Sequence, residues 1–274
     1  MSEESKPKEK EEPDHDDIFL GQLYEGLETF RKNNVSSFLS ALMAGLEIGF
    51  TFFMVVIGFT IFHKYFPEEI VPYLTAFLYP FGFILVILAK SLLFTEQTSI
   101  LSLPVLSGKR PLSELAKLWG IVISGNIVGG CFIGWALSNL GISLGVISHE
   151  GIKGLVLHVS HYSYWVILGS AVLAGWLMGL LSWITTSTSN IFGKIMVIYI
   201  ITFIISIAGL HHSIVGNIEM FVGFLKVPGI SFLNYLVFLA VALTGNAVGG
   251  VVFVGILKYG TFVANKRDVS APRF

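Results

Sequence analysis

Two adjacent histidines interrupt an apolar stretch in Gly209-Leu210-His211-His212-Ser213-Ile214-Val215-Gly216-Asn217-Ile218-Glu219-Met220. Imidazole is the side chain best able to exchange a proton near neutral pH, and adjacent rings disfavour charging both. A lone histidine so placed is often a neutral, hydrogen-bonded packing residue. Here the neighbouring ring and the polar interruption point to a path for protons or ions through His211 and His212. A second interruption, Lys90-Ser91-Leu92-Leu93-Phe94-Thr95-Glu96-Gln97-Thr98, puts a cation, an anion and several hydroxyls among apolar residues. With Glu47, the charges Lys90 and Glu96 are costly in hydrocarbon unless paired or facing water. Glu47 and Lys90 are therefore expected either to join two helices as an ion pair or to face an aqueous vestibule. Other chemistries find no support. The single Cys131 excludes disulfide frameworks and multi-cysteine metal sites and reads as a small packing residue. No phosphate-binding glycine loop, spaced carboxylate pair or His-Glu-x-x-His pattern is present. His158 and His161 alone are too few ligands for a metal site, so neither an enzyme nor a metal or cofactor is expected.

The elements that must position these groups follow from composition. Of 274 residues, 54% are hydrophobic and 13% charged, and the mean hydropathy is +0.76. Soluble domains carry about 25% charge. Eight acids fall within the first 17 residues, whereas Asn34 to Leu257 holds eight basic and seven acidic residues. The chain is thus a charged tail on an apolar body, an integral membrane protein with the lipid bilayer as solvent and no sign of nucleic-acid binding. Residues 1–17 are expected to be disordered. Over 18–34 the apolar spacing suggests an amphipathic helix, either lying in the membrane interface or leading in as a solvated helix. No cleavable signal is expected, because the first long apolar run begins near residue 35 and exceeds an h-region of about 7 to 15 residues. Six spans fit within 35–260: 36–62, 71–106 with a break, 115–141, 162–187, 191–224 with a break, and 231–260. Residues 261–274 form a C-terminal tail. An even number of spans puts both termini on one side, together with Lys109, Arg110, Lys117, Lys194 and Lys258; Lys64, Lys153 and Lys226 lie on the other. The positive-inside bias predicts cytoplasmic termini in a plasma (inner) membrane protein.

The halves 35–141 and 162–260 resemble one another. Ala44-Gly45-Leu46-Glu47-Ile48-Gly49 parallels Ala174-Gly175-Trp176-Leu177-Met178-Gly179, and Gly125-Asn126-Ile127-Val128-Gly129-Gly130 parallels Gly245-Asn246-Ala247-Val248-Gly249-Gly250. Leu93-Phe94-Thr95-Glu96 corresponds roughly to His211-His212-Ser213-Ile214, an offset of 118. Three spans per half force inverted orientations, the architecture in which a solute path forms between repeats. Small-residue motifs also recur because glycine lets helices pack tightly, so Asn126, Asn246, Gly130 and Gly250 are packing residues of the two halves under either reading.

These residues resemble the formate/nitrite transporter family, and within it the YfdC-type branch. The likeness covers 35–260 and rests on Leu93-Phe94-Thr95, the Gly-Asn-x-x-Gly-Gly pair, Gly193-Lys194-Ile195, and His212-Ser213 followed by Asn217. It implies an all-α, aquaporin-like protomer of six transmembrane helices, in two inverted three-helix repeats with the second and fifth helices broken. It also implies a homopentamer with one pore per protomer. Leu93 and Phe94 would form an apolar constriction, Thr95 would sit on a mobile loop, and His212 would be the central pore histidine, with His211, Ser213 and Asn217 along the path. The chain departs from the family's pattern in three places. His211 stands where Glu usually precedes the pore histidine, Gly175 aligns with an Asn of the fourth span, and the upstream Lys aligns near Val159, with only His158 or His161 close by.

A bare anion in a dry apolar slit faces a penalty of order tens of kcal/mol, far more than a neutral weak acid. The implied activity is passage of a small monovalent anion such as formate or nitrite, protonated near His212 and crossing as its conjugate acid. On that reading His212→Asn changes the pH dependence of flux. The alternatives are the same fold conducting a small neutral solute or another ion, with Glu47 and Lys90 setting selectivity, and a non-transport membrane sensor or scaffold whose acidic tail recruits a partner.

Overall fold

The computed structural model describes residues 13–269, with side chains to residue 264. Most of the expected 1–17 tail and the last five residues of the expected 261–274 tail lie outside the described residues. The fold is helical throughout, with no strand among the described residues. In order the helices are α1 (His15–Arg31), α2 (Asn34–Phe62), α3 (Val71–Thr75), α4 (Pro80–Leu88), α5 (Phe94–Leu106), α6 (Leu112–Ser143), α7 (His149–Ser160), α8 (Tyr164–Thr186), α9 (Ile191–Ile207), α10 (Ser213–Lys226), α11 (Phe232–Val248), a π-helical segment (Gly249–Ile256) and α12 (Leu257–Val269). Five stretches are long and apolar enough to cross a membrane: α2, 71–88, α6, α8, and 232–264; α9 is a shorter apolar helix.

Local chemistry sets the ends. The Asn33 side chain caps α2 on the Ser36 N–H, Ser148 caps α7 on Gly151 and Asn190 caps α9 on Gly193. Asp14 and Asp17 form a capping box that starts α1 at His15, so residues 15–17 of the expected tail are helical. At the other end, α12 runs through the first nine residues of the expected C-terminal tail, to Val269. The last expected span is also not uniform, because its middle is π-helical from Gly249, where the two glycines leave little side chain to hold regular winding.

The two breaks are built alike. α4 ends in a Schellman turn: the Lys90 N–H reaches Ile87 O, the Ser91 N–H reaches Val86 O, and Lys90 adopts φ 58°. α9 ends the same way, with Gly209 on Ser206 O, Leu210 on Ile205 O, and φ 63° at Gly209. The unwound backbone beyond each turn needs partners, since water is absent at membrane depth. Asn126 of α6 supplies them at the first break: its amide donates to Leu92 O and Ala41 O, and its oxygen accepts from the Phe94 N–H at 2.8 Å. Asn246 of α11 does the same at the second, donating to His211 O and Ala171 O and accepting from the Ser213 N–H at 2.7 Å. The match pairs Leu92 with His211 and Phe94 with Ser213, which moves the expected alignment of the breaks by one residue and sets Leu93 against His212.

Glycines let the asparagines come this close. A Cβ on Gly125 would lie 2.7 Å from that of Ala41, and one on Gly245 would lie 2.5 Å from that of Ala171. α1 is docked against α5, α8 and α12. Phe19 stacks on Phe262 with centroids 4.1 Å apart, and the buried Gln22 amide donates to Ser182 Oγ and Thr186 Oγ1. A buried, hydrogen-bonded Gln on its inner face makes α1 part of the helical body rather than a freely solvated lead-in.

Candidate functional site

The broken ends of α4–α5 and α9–α10 meet at one hydrogen bond, Thr95 Oγ1 to His212 Nε2, at 2.7 Å. Thr95 is in the first turn of α5, and His212 is the N-cap of α10. The His212 Nδ1 accepts the Val215 N–H at 3.3 Å, so it must carry a lone pair. The network therefore assigns the neutral Nε2–H tautomer, donating to the Thr95 hydroxyl. Phe83 meets the imidazole edge-on at 4.9 Å, and both His212 and Thr95 are buried.

Two cavities reach the breaks, the first lined by His212 and the second by Glu96 and Gln97 next to Thr95 in the chain, and the two share no lining residue. The first, about 550 Å³ including its open side, is bounded at its buried end by His212, His211, Gly216, Glu219 and Tyr79, and by the more accessible His158 and Tyr162. The second, a cleft of about 1320 Å³ including its open side, lies among α1, α5, α8 and α9; three cations (Lys32, Lys90, Lys194) face three carboxylates (Glu25, Glu28, Glu96) there. Leu93, Phe94 and Thr95 line neither cavity and are buried. Phe94 packs edge-on against Trp119 at 5.5 Å. Glu25 keeps an open face on the cleft, yet the helices around it displace enough water that burial pushes its carboxyl upward, against the pull of Lys90, Lys32 and Lys194.

The remaining expected residues separate by helix geometry. His211 lines the first cavity, but its ring is committed: Nε2 contacts Val159 O at 3.0 Å and Nδ1 contacts Ser170 Oγ. Ser213 and Asn217 line neither cavity. Ser213 gives its N–H to Asn246, and its hydroxyl is buried without a partner. The Asn217 oxygen accepts from Tyr235 OH at 2.8 Å, with Cys131 Sγ beside it, so this side chain joins α10 to α6 and α11. On α10 the cavity face carries residues 212, 216 and 219, spaced by four and three, and turns residue 217 away. Gly130 lies under Asn217, with room for no Cβ 2.7 Å from Nδ2, and Gly250 lies against the Thr98 hydroxyl. Lys90 lines the cleft, whereas Glu47 is half-buried on α2; no ion pair joins them among the described residues. One Glu47 oxygen, Oε2, is buried without a hydrogen bond.

Glu219, Tyr79, Ser170 and Lys194 were not singled out as site residues from the sequence. Glu219 had a legible signal, since it lies seven residues after His212, two turns along one helical face. Ser170 and Tyr79 reach the site from distant segments and had none.

A model of the family described as "Formate/nitrite transporter" matches residues 16–260. The inner membrane protein YfdC of Escherichia coli (strain K12) is 29% identical over 201 residues, 70% of this chain and 63% of that protein, so the match spans somewhat under two thirds of its length. Among solved structures, an "FNT family ion channel" superposes with a TM-score of 0.81 at 21% identity, covering 89% of this chain and 98% of the other. A "Pentameric formate channel with formate bound" gives 0.70 at 22%, covering 84% and 98%.

Proposed function

Since this chain belongs to the formate/nitrite transporter family, we propose that it carries small monovalent anions, or their conjugate weak acids, through a pore in each protomer. The observation that supports this most is the Thr95–His212 bond, with separate cavities reaching the two breaks it joins. On this reading the path runs from the histidine cavity past His212, through the apolar collar of Leu93 and Phe94, to the charged cleft. The collar contributes no charge to stabilise an ion, so the solute crosses it as a neutral acid. His212 and Thr95 contribute a hydrogen-bonding rung at the collar's edge.

The same reading takes the helices as six spans in two inverted repeats. It is supported by the paired Schellman turns and the paired asparagines, whose partners recur at an offset of 119 in both breaks. The surplus of basic residues on the terminal side supports cytoplasmic termini, with the charged cleft facing the cytoplasm. A homopentamer is favoured by the assembly that the structural neighbour's name describes.

A second reading keeps the fold and changes the cargo to a small neutral solute or another ion. It is favoured by the histidine cavity, where no Lys or Arg stands among the lining residues to hold an anion. Proteoliposomes decide between the two, with formate, nitrite and glycerol fluxes compared at acidic and neutral pH. Faster movement of formate or nitrite in acid is expected. Movement of glycerol with neither anion would leave the fold in place and reassign the cargo.

A further inference from the structure

Glu219 is 5% exposed and lines the deep part of the histidine cavity, two turns from His212 along the same helical face. Among the described residues its carboxyl makes no hydrogen bond or ion pair. The elements around the cavity supply few groups that titrate. The turn before α4 brings Tyr79, α7 brings His158, the residues after it bring Tyr162, and the second break brings His211 and His212. α2 contributes Val55 and Phe59 and α11 contributes Phe238, all apolar, while α6 and α5 contribute no lining residue. Cys131 and Tyr235, on α6 and α11, are turned to Asn217 instead.

The two deep histidines have no free nitrogen. The His212 Nδ1 accepts the Val215 N–H and its Nε2 is on Thr95, so a second proton would break the cap of α10. The His211 nitrogens are on Val159 O and Ser170. His158 has no ring hydrogen bond among the described residues and also lines two further clefts, which puts it at the wet mouth. Glu219 is thus the deep acid with uncommitted oxygens.

We propose that Glu219 is the proton donor to the permeating weak-acid anion, reprotonated from the vestibule past His158. The proposal rests on the weak-acid reading above and deepens it. In the step, the Glu219 carboxyl O–H bond breaks and an O–H bond forms on the anion's carboxylate or nitrite oxygen. The negative charge stays on Glu219, and the neutral acid moves on past His212. A proton from vestibule water then restores the Glu219 acid. An ionised Glu219 would repel an arriving anion across a cavity without cations, so the acid must be refilled before the next anion enters, and flux rises with proton supply.

The test is acid-stimulated formate flux in proteoliposomes carrying the parent, Glu219→Gln, Glu219→Asp or, as a control at an exposed carboxylate outside both cavities, Glu114→Gln. Glutamine keeps the shape and a donor but has no acidic proton. The expected result is that Glu219→Gln loses the acid stimulation, falling at least about tenfold below the parent in acid. Aspartate should restore stimulation with a profile displaced along the pH axis, and Glu114→Gln should follow the parent. If the parent shows acid-stimulated flux and Glu219→Gln retains it, the donor role falls while the weak-acid reading stands. If the parent moves neither formate nor nitrite, both fall. Where Glu219→Gln does not assemble, an undisplaced Glu219→Asp profile overturns the donor role.

Discussion

His212 holds its tautomer because a backbone N–H occupies Nδ1, and this separates two roles that the sequence merges in one residue. The ring is a fixed donor to Thr95, and the acid beside it is Glu219. Asparagine is a good N-cap, so His212→Asn keeps the start of α10 and removes only the ring. The expected outcome is a lower flux that still rises in acid; a flat profile would return the proton to His212. Thr95→Val leaves the buried Nε2–H without an acceptor, an expected loss of about 1 to 3 kcal/mol. Thermal unfolding of the detergent-solubilised protein reads that loss, and an unchanged midpoint would mean the 2.7 Å bond is not made.

At the scale of elements, the breaks survive because side chains from other helices replace lost backbone bonds. Asn126→Ala or Asn246→Ala each removes three hydrogen bonds. At roughly 1 kcal/mol per bond, a loss of about 3 kcal/mol is expected, enough to lower the yield of assembled protein on gel filtration. Equal yields would show that the breaks find other partners. Lys90 takes a left-handed conformation that glycine occupies at the second break, so Lys90→Gly should stabilise by about 1 kcal/mol, read as a higher unfolding midpoint. α1 carries a pH dependence. The Glu25 carboxyl sits above its ordinary range, so its contribution is present in acid and lost as pH rises through the raised value. Hydrogen exchange of α1, corrected for intrinsic rate, should be slower at acidic than at neutral pH, and Glu25→Gln should remove the difference. These breaks were visible in the sequence as polar interruptions in apolar runs. Their registration was off by one residue, because only the asparagine contacts pair Leu92 with His211.

Across the whole molecule, the body leaves apolar side chains such as Met43, Phe50, Phe132 and Trp165 outside, where lipid or neighbouring copies must cover them. Native mass spectrometry from lipid nanodiscs should show five copies of the 30.0 kDa chain, and a single copy would overturn the pentamer. On the proposed path the two cavities share no lining residue, and the barrier between them falls to Leu93, Phe94 and the His212–Thr95 rung.

What depends on composition and local spacing was legible in the order of residues alone. Apolar runs of span length, two polar interruptions, caps and recurring Gly-Asn-x-x-Gly-Gly motifs are written in consecutive residues, and they implied a membrane-embedded helical protein with a transport path. Tertiary structure decided which of the polar residues share a space. His212 meets Thr95 across 117 positions of chain, His211 is committed to Ser170 and Val159, and Asn217 turns to Tyr235. Glu219 faces the cavity because α10 begins at Ser213 and carries it two turns along the same face. Those outcomes depend on where helices start and which neighbours they meet, and one residue of shift on a helix turns a side chain by about 100°.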